Sequence, residues 1–169
     1  MPSHTHPRRP LRLKGYDYSQ AGAYFVTICT HQRISRFGEI IDTEMRLNPD
    51  GLVVNAAWHE LPRHYPNTSL DAFVVMPNHI HAIIVLADET SKRYPLPEIV
   101  RAFKAFSARR INERSQVRGA PLWQRGYYEH VVRDENALMR IRQYIADNPA
   151  RWSDDPDNPV VHGRVRGPV

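Results

Sequence analysis

The segment FVVMPNHIHAIIVL, residues 73–86, constrains the fold of this chain more than any other stretch. It is almost unbroken β-forming sequence, interrupted by Pro77-Asn78, a pair typical of tight turns. We therefore predict two buried strands, one on each side of this turn. Because side chains alternate along a strand, His79 and His81 should share one face while Ile80 points into the opposite layer.

The other hydrophobic patterns predict a mixed α+β order around this hairpin. The predicted strands are 24–31, 37–47 (one strand or a hairpin), 73–76, 79–86 and 127–132, and the predicted helices are 52–64, 96–114 and 134–148. Residues 48–51, Asn-Pro-Asp-Gly, predict a turn before the first helix. The order βαββαβ is that of a ferredoxin-like antiparallel sheet with helices on one face, here with an additional C-terminal helix.

The length of 169 residues fits one domain. We predict a basic N-terminal arm over residues 1–20, a folded domain over 21–152 and an irregular tail over 153–169. No run of 18 apolar residues occurs, so no membrane span is expected. The single cysteine, Cys29, rules out an internal disulfide and suits a reducing cytoplasm.

The charge of the chain indicates a nucleic-acid partner. The formal net charge is +5, and 20 of the 23 basic residues are arginine. A guanidinium holds phosphate with two parallel hydrogen bonds and stacks on bases, which an ammonium group cannot do. A merely solvated basic surface is the alternative interpretation, and the composition does not exclude it.

The two strand histidines have two interpretations on sequence grounds. Neighbouring same-face imidazoles are close enough to converge on one metal ion, but hydrogen-bonded core histidines would show the same spacing. The pair His4 and His6 has that spacing too, near a terminus with no strand to fix it, and we assign it no function.

The last predicted helix carries a polar edge beside its apolar stripe of Leu138, Ile141 and Ile145. At about 100° per residue, Tyr144 and Asn148 lie together at that edge. Arg140 falls on the same side as Tyr144. A helix packed on the sheet by its stripe would present a phenol, an amide and a guanidinium to its neighbours, although an edge tyrosine and a C-terminal asparagine before proline are also common structural features.

Three blocks of the sequence, taken together, resemble a known family. VVMPNHIH resembles the His-hydrophobic-His motif of HUH-type single-strand DNA transposases. WQRGYYEHVVRDENALMRIRQYIADNPARW resembles the tyrosine-bearing end of the REP-associated tyrosine transposases, and RLKGYDYSQAGAYFVTICT is also typical of that branch. The blocks span residues 12–152 in the order found in the family.

This resemblance implies a ferredoxin-like fold, a divalent metal and one catalytic tyrosine. His79 and His81 match the metal-binding pair, Tyr144 matches the nucleophile, and Asn148 matches a third, side-chain amide ligand. Two imidazoles and an amide are neutral, so Mg²⁺ or Mn²⁺ would keep its full charge for the scissile phosphate. Arg140 is a candidate for further charge stabilisation.

The implied reaction is cleavage and rejoining of single-stranded hairpin DNA through a 5′-phosphotyrosine link. Such a link conserves the bond energy, so a second DNA end can rejoin without ATP. The resemblance to the REP-associated branch implies a monomer, whereas members of the wider superfamily form dimers that exchange their tyrosine helices. The candidate phosphate contacts are Arg8, Arg9, Arg12 and Lys14 in the arm and Arg101, Lys104 and Arg109 in the second helix.

Two rival functions remain open. The first is a non-catalytic nucleic-acid-binding sheet, but such sheets stack bases on exposed aromatic pairs, which the central strand here lacks. The second is a replication or transfer nuclease with the same chemistry, which usually carries further domains. Tyr127 and Tyr128 are rival nucleophiles for which a stacking or core role is expected, and a structural role is expected for His130.

Overall fold

The computed structural model of the protein describes residues 13–88 and 92–159. Its elements, in chain order, are β1 (Gly22–Cys29), β2 (Gly38–Ile41), β3 (Glu44–Leu47), α1 (Pro49–His59), α2 (Leu61–His64), β4 (Thr68–Met76), β5 (His79–Leu86), α3 (Leu96–Arg114), β6 (Tyr128–Val132) and α4 (Glu135–Asp147). Short 3₁₀ turns occupy His31–Arg33 and Pro149–Asp154.

The main sheet has four antiparallel strands in the order β4-β5-β1-β6. With the β2–β3 hairpin set aside as a separate two-stranded ribbon, the chain order of strands and helices is the predicted βαββαβ, and this ferredoxin-like prediction is confirmed. The register places Thr27 of β1 opposite His81 of β5, and Cys29 opposite His79. The histidine strand is therefore central.

The first face of the sheet forms the main core with α1 and α3. Even-numbered residues of β1 and β5 point into it, Ile80 among them. Trp58 of α1 is fully buried, with its ring stacked 5.2 Å from that of Phe73 and edge-on to Phe103 of α3. Aromatic pairs of this kind add directional packing to the hydrophobic term.

The second face of the sheet is covered by α4. Its stripe of Leu138, Ile141 and Ile145 packs against Phe25 of β1 and Ile83 of β5. Asp134 is the predicted N-cap, and its side chain accepts a hydrogen bond from the Ala137 amide at 2.7 Å. Because His79 and His81 lie on the same face as Ile83, the additional helix is the element that reaches them.

The predicted turn at residues 48–51 is wrong, because those residues begin α1. Asn48 is the N-cap, with its Oδ1 accepting from the Gly51 amide at 2.9 Å, and Pro49 occupies the first helical position. The predicted helix to residue 64 is also divided, at Glu60. Pro62 lacks an amide hydrogen and cannot continue the hydrogen-bond ladder of α1.

Smaller differences concern burial and the ends of the domain. Phe106, expected in the buried stripe of α3, is only half-buried, and Ser107 lies in the interior instead. In the segment assigned to the N-terminal arm, Tyr18 is buried and its carbonyl accepts from the Leu96 amide. In the tail, Asn158 is buried and Pro149–Asp154 forms the 3₁₀ turn. Within residues 13–88 and 92–159, no helix is both long and apolar enough to cross a bilayer.

Candidate active site

The two strand histidines form a buried pair under α4. His79 is fully buried and His81 is 4% exposed. Their Nε2 atoms lie 3.0 Å apart, with the ring centroids separated by 4.5 Å. Two nitrogens at this separation can share one proton or face one cation, because two lone pairs alone would repel.

Asn78 fixes the orientation of the His79 ring. Its Nδ2 donates to the carbonyls of Arg33 (3.0 Å) and Asp157 (2.7 Å), which can only accept, so its Oδ1 faces His79 Nδ1 at 2.8 Å. Nδ1 of His79 must then carry the hydrogen. The lone pair of Nε2 is left free and points at His81.

Thr27 holds the second ring through a bond of a different kind. Its Oγ1 lies 2.8 Å from His81 Nδ1. A hydroxyl can donate or accept, so either tautomer of His81 is satisfied. His81 can therefore donate from Nε2 to His79 when the pair stands alone, or offer the Nε2 lone pair to a cation. Outer partners of this kind are typical of metal-binding histidines.

Both histidines are neutral near neutral pH. Burial lowers the pKa of His79 well below its usual value, and its electrostatic interactions with His81 and Arg33 lower it further. Burial lowers the pKa of His81 to about 4. Neutral imidazole is the form that coordinates metal.

Tyr144 of α4 reaches the histidine pair. Its hydroxyl lies 3.3 Å from His81 Nε2, and the residue is 43% exposed, so part of the side chain is open to solvent. Phe25 packs against both residues: its ring is stacked on that of His81, with the centroids 5.5 Å apart, and is edge-on to the Tyr144 ring. Partial burial raises the pKa of the Tyr144 phenol, and interaction with Asn148 lowers it in part.

Asn148, one turn beyond Tyr144, is the third member of the site. It is the C-cap of α4 and is 3% exposed. Its side chain is near enough to raise the pKa of His79, against the larger effect of burial. Its Oδ1 is buried and accepts no hydrogen bond within the described part of the chain. An unsatisfied buried acceptor costs about 1–3 kcal/mol, which a cation would offset.

These residues fit a divalent cation with open coordination positions. Among the described residues, no group of three or more His, Cys, Asp or Glu side chains could hold a metal. A third protein ligand for a metal held by His79 and His81 would therefore be of another type, and the unsatisfied amide oxygen of Asn148 is such a group. Three neutral ligands that include oxygen suit Mg²⁺ or Mn²⁺ completed by water and phosphate oxygens.

The predicted DNA-contacting residues lie in several places. Arg140 is exposed on α4, the helix that carries Tyr144. Arg101, Lys104 and Arg109 lie on α3, in the layer on the other side of the sheet. Lys104 donates to the carbonyls of Gln124, Arg125 and Gly126, so a phosphate would compete with these bonds. Lys14 is exposed, and Arg8, Arg9 and Arg12 lie outside the described residues.

The rival tyrosines point to opposite faces, as their adjacency in a strand requires. Tyr127 packs against the main core on the α3 side. Tyr128 lies on the site face, opposite Thr27 in the register, with its ring 6.2 Å from Phe25. The Tyr144 hydroxyl, by contrast, lies 3.3 Å from His81 Nε2. His130 is exposed, and its role stays a prediction.

Sequence reasoning missed the residues that support the site from outside. Trp152 lies beside His79, with ring centroids 6.0 Å apart, and the carbonyl of Asp157 binds Asn78. Asp157 also forms an ion pair with Arg33. The tail after α4 therefore folds over the histidines. The motif PNHIH contains Asn78 next to His79, and this adjacency was the signal available in the sequence.

The family comparison decides the class of this protein. The family described as "Transposase IS200 like" matches residues 20–148, which run from the start of the sheet to Asn148. The chain belongs to the IS200-like transposase family. The matched region contains both histidines and Tyr144, so the candidate site lies within the part of this transposase that defines the family.

Two relatives of this transposase occur in Haemophilus influenzae. An uncharacterized protein is 37% identical over 168 residues, covering 89% of this chain and 92% of the relative. A putative REP-associated tyrosine transposase is 25% identical over 140 residues, covering 80% of this chain and 74% of the relative.

Two solved structures share the fold of this transposase. One is a REP-associated tyrosine transposase bound to a REP hairpin, with a TM-score of 0.55, 21% identity and coverage of 92% of this chain and 76% of the other. The second is a putative transposase from Deinococcus radiodurans, with a TM-score of 0.50, 20% identity and coverage of 80% and 95%. At these identities the likeness supports the fold alone.

Proposed function

We propose that this transposase is a metal-dependent HUH-type enzyme that cleaves and rejoins single-stranded hairpin DNA through a 5′-phosphotyrosine link. The observation that carries the proposal is the 3.3 Å approach of the Tyr144 hydroxyl to His81 Nε2, beside a second imidazole at 3.0 Å. A tyrosine hydroxyl and two neutral imidazoles thus lie together beside one edge of α4, which supports a nucleophile next to a metal site.

The residues of the chain have distinct roles in the proposed reaction. His79, His81 and Asn148 would hold Mg²⁺ or Mn²⁺, which supplies positive charge to the scissile phosphate when bound. The Tyr144 oxygen attacks phosphorus and forms a P–O bond, and the bond to the 3′ oxygen breaks. Tyr144 loses its proton and the departing 3′ oxygen gains one. Reversal of these steps with another 3′-hydroxyl rejoins DNA without ATP.

The hairpin substrate is proposed by analogy and by charge. The related solved protein was bound to a REP hairpin. Arginine supplies 20 of the 23 basic residues here, which suits phosphate binding. Arg140 is on the catalytic helix, and Arg101 and Arg109 would contact DNA that extends around the sheet. We also propose that the protein is located in the cytoplasm, at the nucleoid.

A monomer is the proposed catalytic unit, because Tyr144 lies against the histidine pair of its own chain. The structure argues against a non-catalytic base-stacking sheet, since α4 covers the second face with Leu138, Ile141 and Ile145. A base-stacking sheet needs that face open to nucleic acid.

The direct test is incubation of the protein with single-stranded hairpins from the DNA flanking its gene. With Mg²⁺ or Mn²⁺, we expect strand cleavage and a covalent protein–DNA adduct. EDTA should abolish both, and excess Mg²⁺ should restore them. Hairpin binding without cleavage under any of these metal conditions would contradict the proposal and favour a binding module.

A further inference from the structure

The catalytic helix is fixed to the sheet on two opposite flanks. On one flank Tyr144 reaches His81. On the other, Arg142 forms a bidentate pair with Asp71 of β4, with Nε to Oδ1 at 2.8 Å and Nη2 to Oδ2 at 2.7 Å. This fork-to-carboxylate geometry specifies direction as well as distance.

Asp71 is held in place by an irregularity of its own strand. The register of β4 against β5 shifts between Leu70 and Phe73, so Asp71 stands outside the regular ladder. Its Oδ1 also accepts from the Ala72 amide at 2.7 Å. An anchored carboxylate thus faces α4 at the edge of the sheet, where Arg142 meets it.

Because Arg142 and Tyr144 lie on opposite flanks of α4, their contacts with the sheet are sensitive to rotation of the helix about its axis. At about 100° per residue, Arg142 and Tyr144 lie about 200° apart, with Ile141 and Ile145 directed at the sheet between them. A stripe of flexible aliphatic side chains tolerates some roll of the helix. With side chains extending about 5–6 Å from the axis, a 20° roll moves a side-chain tip by about 2 Å.

We propose that Arg142 and Asp71 are positioning residues that set the roll of α4 and so keep the Tyr144 hydroxyl at the histidine pair. This inference rests on the proposed function, since it names the residues that aim the nucleophile. A displacement of about 1 Å costs about 100-fold in rate in well-oriented reactions. The Arg142 side chain is 39% exposed, so solvent screens the pair and it adds less to global stability than a fully buried pair would.

The proposal predicts a loss of rate without a loss of DNA affinity. Asp71→Asn keeps the shape of the side chain and an acceptor for Ala72, and Arg142→Gln removes the fork. Each variant should form the adduct at least about 10-fold more slowly in single-turnover reactions with saturating hairpin DNA. The dissociation constant for DNA should stay within about 2-fold, and the double variant should be no slower than either single variant.

Gln143→Ala is the matched control on the same helix. Among the described residues, the Gln143 side chain bonds to Asp147 within α4, so its removal leaves the contacts to the sheet intact. This variant should react at the wild-type rate. Wild-type rates in Arg142→Gln, or rate losses that multiply in the double variant, would overturn the proposal.

Hydrogen exchange separates this inference from the proposed function. In Asp71→Asn and Arg142→Gln, amides of α4 should exchange faster while those of β5 stay protected. If the wild-type protein forms no adduct, the proposed function fails and this readout still tests the helix contact. Unchanged exchange across α4 in both variants would overturn the positioning role, whatever the activity.

Discussion

The side-chain oxygen of Asn78 accepts a hydrogen bond from Nδ1 of its neighbour His79 at 2.8 Å, and the Asn78 amide nitrogen is bound to two backbone carbonyls. This arrangement determines which nitrogen of His79 carries the hydrogen. It also connects the histidine to the tail, because one of the carbonyls belongs to Asp157. Metal affinity and the folding of the tail should therefore depend on the same side chain.

Replacing Asn78 tests that connection. Asn78→Ala should weaken Mn²⁺ binding by about 10–100-fold, as loss of an outer partner does in other sites. It should also lower the free energy of unfolding by about 1–3 kcal/mol, because the partly buried carbonyls of Arg33 and Asp157 lose their donor. Calorimetric titration with Mn²⁺ and thermal melting measure the two effects.

Asn67→Ala is the control for Asn78→Ala. Asn67 is equally buried, and its amide donates to the Tyr94 carbonyl away from the site. It should destabilise the fold and leave Mn²⁺ affinity unchanged. Equal Mn²⁺ affinity in both variants would show that Asn78 has only a structural role.

Replacing Asn148, whose side-chain oxygen is unsatisfied, should lower Mn²⁺ affinity without lowering the stability of the metal-free protein by much. Asn148→Ala removes a buried acceptor that has no partner among the described residues, so the metal-free protein should lose little stability. The Mn²⁺ affinity should nevertheless fall, and the extra stability conferred by saturating Mn²⁺ should shrink with it. Melting curves with and without Mn²⁺ check both statements. Wild-type Mn²⁺ stabilisation in this variant would remove Asn148 from the ligand set.

The sequence alone predicted the elements whose patterns are local. The alternation around His79 and His81 identified a shared strand face, and the stripe of Leu138, Ile141 and Ile145 identified the docking side of α4. Both follow from periodicity within one element. The structure confirms the shared face of the histidines and the packing of the stripe on the sheet.

The contacts that join distant elements could not be predicted in this way. Thr27 meets His81 through the pairing of β1 with β5, and Asp71 meets Arg142 because β4 shifts register. Neither register has a signature in one sequence. The start of α1 was missed for a different reason, since Asn48-Pro49 suits a turn and an N-cap equally well and only the Gly51 bond distinguishes them.

Gly51 provides a test of the fold away from the site. A Cβ at this position would stand 2.2 Å from the backbone oxygen of Phe37, which cannot move without disturbing the β2–β3 hairpin. Gly51→Ala should therefore lower the free energy of unfolding by about 1–3 kcal/mol or more, despite the better helix propensity of alanine. Leu52→Ala, at an exposed neighbouring position, should change it by about 0.5 kcal/mol or less. Chemical denaturation measures both, and equal stability of the two variants would contradict the close approach.

DNA binding should depend strongly on salt. For a single strand, the log–log slope of affinity against salt is about −0.7 per phosphate contacted. Arg101→Ala and Arg109→Ala should each weaken binding and reduce the slope by about that amount if they contact phosphate. Arg46→Ala is the control, because Arg46 pairs with Glu44 on the outer hairpin. Fluorescence anisotropy between about 50 and 200 mM salt gives the slopes, and salt-independent affinity would exclude arginine–phosphate contacts as the main source of binding.

Tyr144 is the residue proposed to form the covalent link to DNA. Tyr144 approaches His81, whereas Tyr128 shares only the sheet face and Tyr127 lies in the other layer. Tyr144→Phe removes one oxygen and keeps the ring, so folding, Mn²⁺ binding and DNA affinity should be nearly unchanged while the adduct disappears. The decisive measurement is mass spectrometry of the trapped, protease-digested complex of the wild-type protein with hairpin DNA. We expect a nucleotide on the peptide that contains Tyr144, and a nucleotide on a peptide containing Tyr127 or Tyr128 would show that another residue is the nucleophile.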